Sequence, residues 1–295
     1  MHRREFLKGT AAAGAVAALP GLSGLRFDDS AFTALRRGVG TYVNKGGTIG
    51  WLIRDDAVVI VDAQFPESAK DCLAGIKERS AQPIDYLINT HHHGDHTNGN
   101  PVFKDHVGHI VAHENVPTWQ WNRARERELE DPTVADIIYS DTMTLDLGDE
   151  TIRLTYHGRA HTSGDSIIHF EEANIVHVGD LVFNRYPAFI DRDAGATIHG
   201  WMSILDIAHS MFDDETLFIF GHGGTITGTR PDLLYMQDFL GGLLAFAEAG
   251  IKAGKTKEEV AETKKLPDFP DNFAPDWENG ISNGLEKAYE ELTED

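Results

Sequence analysis

The chain has 295 residues, 41% of them apolar and 25% charged, which suits a folded globular protein with a sizeable core rather than a disordered one. Its formal charge of −21 would repel nucleic-acid backbones and anionic membranes, so neither is expected as a partner. A single cysteine, Cys72, excludes an intrachain disulfide and any cysteine-rich zinc knuckle.

In chain order, the N-terminus reads MHRREFLKGTAAAGAVAALPGLSG: Arg3 and Arg4, then Phe6, Leu7 and Lys8, then a weakly apolar Ala/Gly/Val run. This pattern resembles a bacterial twin-arginine signal peptide. Residues 1–24 are read as that signal. Ala15-Val16-Ala17 and Gly21-Leu22-Ser23 compete as cleavage sites. The resemblance implies passage through the Tat translocase and a periplasmic or extracellular mature protein, without stable membrane insertion after processing. Residues 25–295 are read as one domain.

Short apolar, partly β-branched runs predict strands at Thr48–Ile53 and Ala57–Val61. Pro66 opens a helix to about Arg79, with Ala69, Cys72, Leu73 and Ile76 on one side. Strands are predicted at Ile84–Ile88 and His109–Ala112, and a polar helix at Glu114–Glu130 carrying Trp119 and Trp121. Further strands follow at Thr142–Leu147, Thr151–Tyr156, Ser166–Phe170 and Asn174–Val178. A helix over Ile198–Phe212 precedes a strand at Thr216–Phe220. Helices at Pro231–Ala249, Lys257–Thr263 and Gly280–Leu292 close the chain. The alternation runs in two halves, each roughly β, β, α, β, and predicts two sheets with helices outside.

The segment Leu87–Asn98, LINTHHHGDHTN, follows a predicted strand. In an extended segment alternate side chains point the same way, so His91 and His93 can share a metal. Gly94 lets the chain curl, which aims Asp95 and His96 at a neighbouring position. His92 points opposite and reads as a packing residue. Three further fragments sit at element boundaries: GRAHTSGDS with His161, VHVGDLVF with Asp180, and FIFGHGG with His222.

Together these fragments resemble the metallo-β-lactamase superfamily: H-x-H-x-D-H at His91–His96, H-T-x-G-D at His161–Asp165, G-D at Gly179-Asp180 and G-H-G at Gly221–Gly223. The resemblance implies an α/β fold, an αββα four-layer sandwich. It implies that His91, His93 and His161 hold one metal, that Asp95, His96 and His222 hold a second, and that Asp180 bridges them. Such nitrogen and carboxylate donors suit two Zn²⁺ per chain, with Fe or Mn as alternatives. Two cations roughly 3.5–4 Å apart can share a hydroxide whose parent water has a pKa lowered toward ~7. That hydroxide would attack the carbonyl of a small-molecule ester, thioester, lactone or amide, including β-lactams, and Asp95 would orient it or take its proton.

Among supporting residues, Asp62 is placed to orient a ligand imidazole, and Thr162 and Asp165 to brace the His161 loop. The other mature-chain histidines, among them His113, His177 and His199, read as surface or packing residues, and Cys72 as inert core. Phe183 stands where cysteine-site zinc β-lactamases carry a lysine for the antibiotic's carboxylate, which argues against efficient β-lactamase activity of that type. The segment Phe183–Asp193, FNRYPAFIDRD, is expected to line the pocket with Tyr186, Phe189 and Arg192, opposite Trp119. The alternative functions are an iron-dependent redox enzyme and an accessory metal protein of a quinoprotein system.

Overall fold

The structure is a computed structural model that describes residues 31–275 and 277–294. The predicted signal, 1–24, lies outside the described residues. The first half contains β1 (Phe32–Ala34), β2 (Val39–Tyr42), β3 (Ile49–Ile53), β4 (Val58–Val61), α1 (Pro66–Arg79), β5 (Ile84–Asn89), α2 (Gly94–Thr97), α3 (Asn100–Phe103), β6 (Val107–His113), α4 (Asn115–Glu126) and β7 (Ile137–Tyr139). The second half contains β8 (Thr142–Asp146), β9 (Thr151–Tyr156), β10 (Ser166–Phe170), β11 (Ile175–His177), β12 (Phe183–Asn184), α5 (Ile198–Met211), β13 (Leu217–Ile219), β14 (His222–Gly223), β15 (Thr227–Gly228), α6 (Arg230–Lys252), α7 (Lys257–Ala261) and α8 (Gly280–Glu294).

Strands β1 to β7 form one sheet in sequence order, antiparallel as far as β4 and parallel from there. The second sheet runs β15-β13-β11-β10-β9-β8, with β11 and β13 parallel. A two-stranded ribbon pairs β12 with β14, setting Phe183 beside His222.

Period-two alternation explains the layering. In β4, Val59 and Val61 point to the core between the sheets, while Val58 and Ile60 pack on α1. In β10 and β13, Ile168 and Ile219 face the other sheet, while Ile167 and Phe218 face α5, α6 and α8. Helix α1 buries Ala69, Cys72, Leu73 and Ile76, spaced three and four apart, and Pro66 starts it where a missing N–H costs nothing. Burial pushes the Cys72 thiol well up, so it stays an inert thiol. The result is helices, sheet, sheet, helices, the expected αββα order.

The predicted helix over Glu114–Glu130 stops at Glu126, where the backbone leaves the helical region at Arg127. Strands β1, β2, β7, β12, β14 and β15 were not predicted. They are two to four residues long, too short for a periodic signal. Among the described residues no helix is long and apolar enough to cross a membrane.

Candidate metal centre

The predicted chemistry-bearing residues gather at one rim, beyond the C-terminal ends of the parallel strands β4, β5, β11 and β13. Asp62 follows β4. His91 and His92 lie in the turn after β5, and His93 caps α2, which carries Asp95 and His96. His161 sits in the loop between β9 and β10, Asp180 in a short 3-10 turn at Gly179–Leu181, and His222 in β14.

Donor atoms of His91, His93, His161 and Asp180 lie within 4.8 Å of one another, and so do those of Asp95, His96 and His222. Asp180 reaches both groups: Oδ1 is 3.1 Å from His96 Nε2, and Oδ2 is 3.4 Å from His222 Nε2, 3.5 Å from His161 Nε2 and 3.8 Å from His91 Nε2. His91, His96, His161 and Asp180 are buried, whereas the side chains of His93, Asp95 and His222 keep 14%, 27% and 24% exposure, so the centre opens on their side.

The hydrogen-bond partners fix the tautomers. Thr90 Oγ1 donates to Asp62 Oδ2 at 2.8 Å, so it must accept from His91 Nδ1 at 3.0 Å, leaving His91 Nε2 bare. His161 Nδ1 donates to the Phe189 carbonyl at 2.7 Å, leaving its Nε2 bare. His93 Nε2 donates to Asp191 Oδ2 at 2.9 Å, and its Nδ1 faces His91 Nε2 at 3.0 Å and His161 Nε2 at 2.9 Å. In a neutral imidazole the proton on Nε2 leaves Nδ1 bare as well. Burial, reinforced by neighbouring imidazoles, holds His91 well below the usual histidine range and His161 down to about 3.

His96 Nδ1 donates to Asp62 Oδ2 at 2.7 Å, so its Nε2 points at Asp180 Oδ1. Both of those buried atoms lack a partner in hydrogen-bonding geometry. Burial opposes charge on His96 and His222, but the Asp180 and Asp95 carboxylates outweigh it, holding His96 well above its ordinary range and His222 up to about 9. Against the same burial, the imidazoles hold Asp95 down to about 2. The space between these groups demands positive charge. Bare nitrogens converging beside ionised carboxylates have the donor chemistry of a divalent-metal site.

Two glycines make room. A Cβ on Gly47 would strike the His96 ring, and one on Gly221 would overlap Asp180 Oδ1 and come within 2.9 Å of the Gly179 carbonyl carbon.

A cleft of about 710 Å³ lies over His93, Asp95, Asp180 and His222. Tyr186 and Phe189 line it. Trp119 and Arg192 do not. The Trp119 indole donates to Ser163 Oγ at 2.8 Å and packs behind His92, with ring centroids 5.9 Å apart. The Arg192 guanidinium is turned to Glu291 on α8, whose carboxylate also accepts from the Ile198 and His199 amides at the start of α5.

His92 stands apart from the two groups above. It forms a third set with His93 and Asp191, its Nε2 3.6 Å from Asp191 Oδ2. Asp62 holds His96 and Thr90, and Asp165 accepts from the Thr162 amide and hydroxyl at 2.7 and 2.9 Å. Asp191, Arg127, Asn98, Phe65 and Trp277 join the site without a sequence motif of their own. Asp191 lay inside the flagged segment. The short turn it caps aims its carboxylate inward to His93 and Arg123, while the next residue, Arg192, faces out. Phe65 and Trp277 sit in connections that carry no motif.

Residues 45–237 match the family model described as the metallo-beta-lactamase superfamily, and this chain belongs to that superfamily. Residues 1–20 match the twin-arginine translocation signal, so the chain is exported across the membrane by that route. Among solved structures, it is similar to a metallo-beta-lactamase from Pontibacter korlensis, with 17% identity, 71% of this chain and 98% of that one covered, and a TM-score of 0.61. It is similar to a metallo beta lactamase from Hirschia baltica at 20% identity, 71% and 96% coverage, and a TM-score of 0.59. It is also similar to the sec-alkylsulfatase Pisa1 from Pseudomonas sp. at 13% identity and a TM-score of 0.68; 89% of this chain then spans 50% of that one. These likenesses carry the fold.

Proposed function

We propose that this exported protein, with residues 25–295 acting as one domain, is a dinuclear metal-dependent hydrolase of small molecules bearing an ester, thioester, lactone or amide carbonyl. His91, His93 and His161 would hold one Zn²⁺, Asp95, His96 and His222 the other, with Asp180 between them. The observation that carries this reading is the reach of Asp180 into both donor groups, each aiming unprotonated or orphaned atoms at one point. Bound cations supply a water acidified to near-neutral pKa and positive charge for a developing oxyanion.

The protein's own groups do the rest. Asp62, Asp191 and the Phe189 carbonyl each accept one imidazole N–H and so set which nitrogen of His96, His93 and His161 is free to bind. Asp95, with its pKa near 2, stays ionised at neutral pH. It is therefore suited to orienting the attacking group by accepting its hydrogen bond, more than to keeping its proton. Phe183, stacked 5.2 Å from His222, and Phe189, 5.4 Å from His93, shield the centre from bulk water.

The test is a panel of a lactone, a thioester, a β-lactam and a secondary alkyl sulfate, assayed with zinc-loaded protein. Turnover of a carbonyl substrate that disappears in His93→Ala and on chelation supports the reading. Turnover that survives either change refutes it, and tightly bound iron in place of zinc favours a redox enzyme. Hydrolysis of the sulfate alone would move the assignment to sulfate esters.

A further inference from the structure

The cleft lining is part aromatic and part polar. Of its aromatic residues, Phe65 and Phe189 are 39% and 43% exposed, and Trp277 packs 6.4 Å from Tyr186 and 6.3 Å from Phe189. The same lining carries the polar side chains of Asn44, Asn98 and Arg127. A side chamber of about 490 Å³ adjoins the cleft and shares His93, Gly94, Asn98 and Arg127 with it, so Arg127 stands at the junction.

Arg127 is the one Lys or Arg lining the main cleft among the described residues, in a chain of net charge −21. The neighbouring arginines are engaged: Arg123 with Asp191 at 2.9 Å, Arg185 with Asp232 at 2.7 Å and Arg192 with Glu291 at 3.2 Å. The exposed Arg127 side chain has no ion pair or hydrogen bond among the described residues. Glu130 and Asp131 line the side chamber and not the cleft, whose own carboxylates, Asp95 and Asp180, belong to the two donor groups.

Resting on the hydrolase reading above, we propose that Arg127 is a specificity residue and that the substrate is an amphipathic anion. Its apolar body lies on the aromatic rings of the cleft, Phe189 and Trp277 among them, and its carboxylate or other single anionic group pairs with Arg127, assisted by the Asn98 amide. The planar guanidinium suits two-point pairing with such a group.

The test compares zinc-loaded wild type, Arg127→Ala and Arg127→Glu on two esters of equal acyl length, p-nitrophenyl valerate and the mono-p-nitrophenyl ester of glutaric acid. Wild type is expected to prefer the anionic ester. Arg127→Ala should lower kcat/KM for it by about tenfold, the scale of one charge-assisted contact at a partly exposed site. It should leave the neutral ester within about threefold and the metal content unchanged, and Arg127→Glu should reverse the preference. Equal losses on both esters, or no loss on either, overturn the proposal.

A second arm needs no turnover: binding of a phenylalkyl sulfonate against its primary sulfonamide, followed by tryptophan fluorescence. Tighter binding of the sulfonate that vanishes in Arg127→Ala supports the proposal, and equal binding overturns it. If neither ester is hydrolysed, this arm alone decides the role of Arg127, and the lactone, thioester and β-lactam panel decides the hydrolase reading.

Discussion

Replacing Asp62 by Asn changes one atom and tests how the centre is organised. Asp62 is fully buried at φ 67, a left-handed backbone that Asn adopts as readily as Asp. Its Oδ1 accepts from the Thr90 amide at 2.8 Å, and an Asn carbonyl keeps that bond. Its Oδ2 accepts from Thr90 Oγ1 at 2.8 Å and from His96 Nδ1 at 2.7 Å, and there the variant presents an NH₂. The threonine hydroxyl can turn and accept. His96 must accept at Nδ1 and move its proton to Nε2, the atom that faces Asp180. Losing the charge-assisted bond costs on the order of 1.5–3 kcal/mol of stability. Losing the outer partner of a metal-binding histidine costs about 10- to 100-fold in affinity. Zinc titration of stripped protein against a chromophoric chelator should show that loss in one of two binding steps. The step assigned to His91, His93 and His161 should stay within about threefold. An unchanged two-step isotherm in a folded Asp62→Asn protein would refute the reasoning.

Gly221→Ala places a methyl group on Asp180 Oδ1, so it should displace that carboxylate and weaken both binding steps while the far-ultraviolet circular dichroism stays native; retention of both affinities would contradict the packing. Glu150 is buried, with Oε2 unpartnered, and burial first and the nearby Glu172 second push its pKa up to about 7. A carboxyl raised in the fold contributes stability that is fully present below about pH 4.5 and is lost as pH rises through about 7. Glu150→Gln keeps an acceptor for the Glu172 amide at 2.9 Å, so it should raise the unfolding free energy at pH 8 by on the order of 2 kcal/mol, read as a higher melting temperature, and change little at pH 5. Equal shifts at both pH values would refute the assignment.

How much of this was legible in the sequence follows from the range of each signal. The α1 face and the β4 alternation repeat over many residues, so periodicity gave both. Strands β12 and β14 are two residues each, formed because Phe183 meets His222 in the fold, and no local pattern announces them. The candidate donor residues were legible because histidines and carboxylates recur at element ends in metal-binding spacing, and the fold gathers them into groups that could hold a metal. Their supporting groups were legible only in part: Asp62 sits at a strand end beside the cluster, whereas Asp191 is 98 residues from His93 and becomes its partner only through folding. Arg192 was expected in the pocket on proximity to Asp180 in sequence, but α8 delivers Glu291 to it. Trp277 enters the cleft from the connection before α8, with no nearby donor to mark it.

The central claim is that two divalent ions occupy adjoining positions joined by Asp180. The direct measurement is anomalous diffraction at the zinc edge from crystals of the mature, zinc-loaded protein, with metal content per chain measured on the same batch. Two peaks are predicted, one among His91, His93 and His161 and one among Asp95, His96 and His222, both in contact with Asp180, and two zinc ions per chain. A single ion, or a peak among His92, His93 and Asp191, would contradict it.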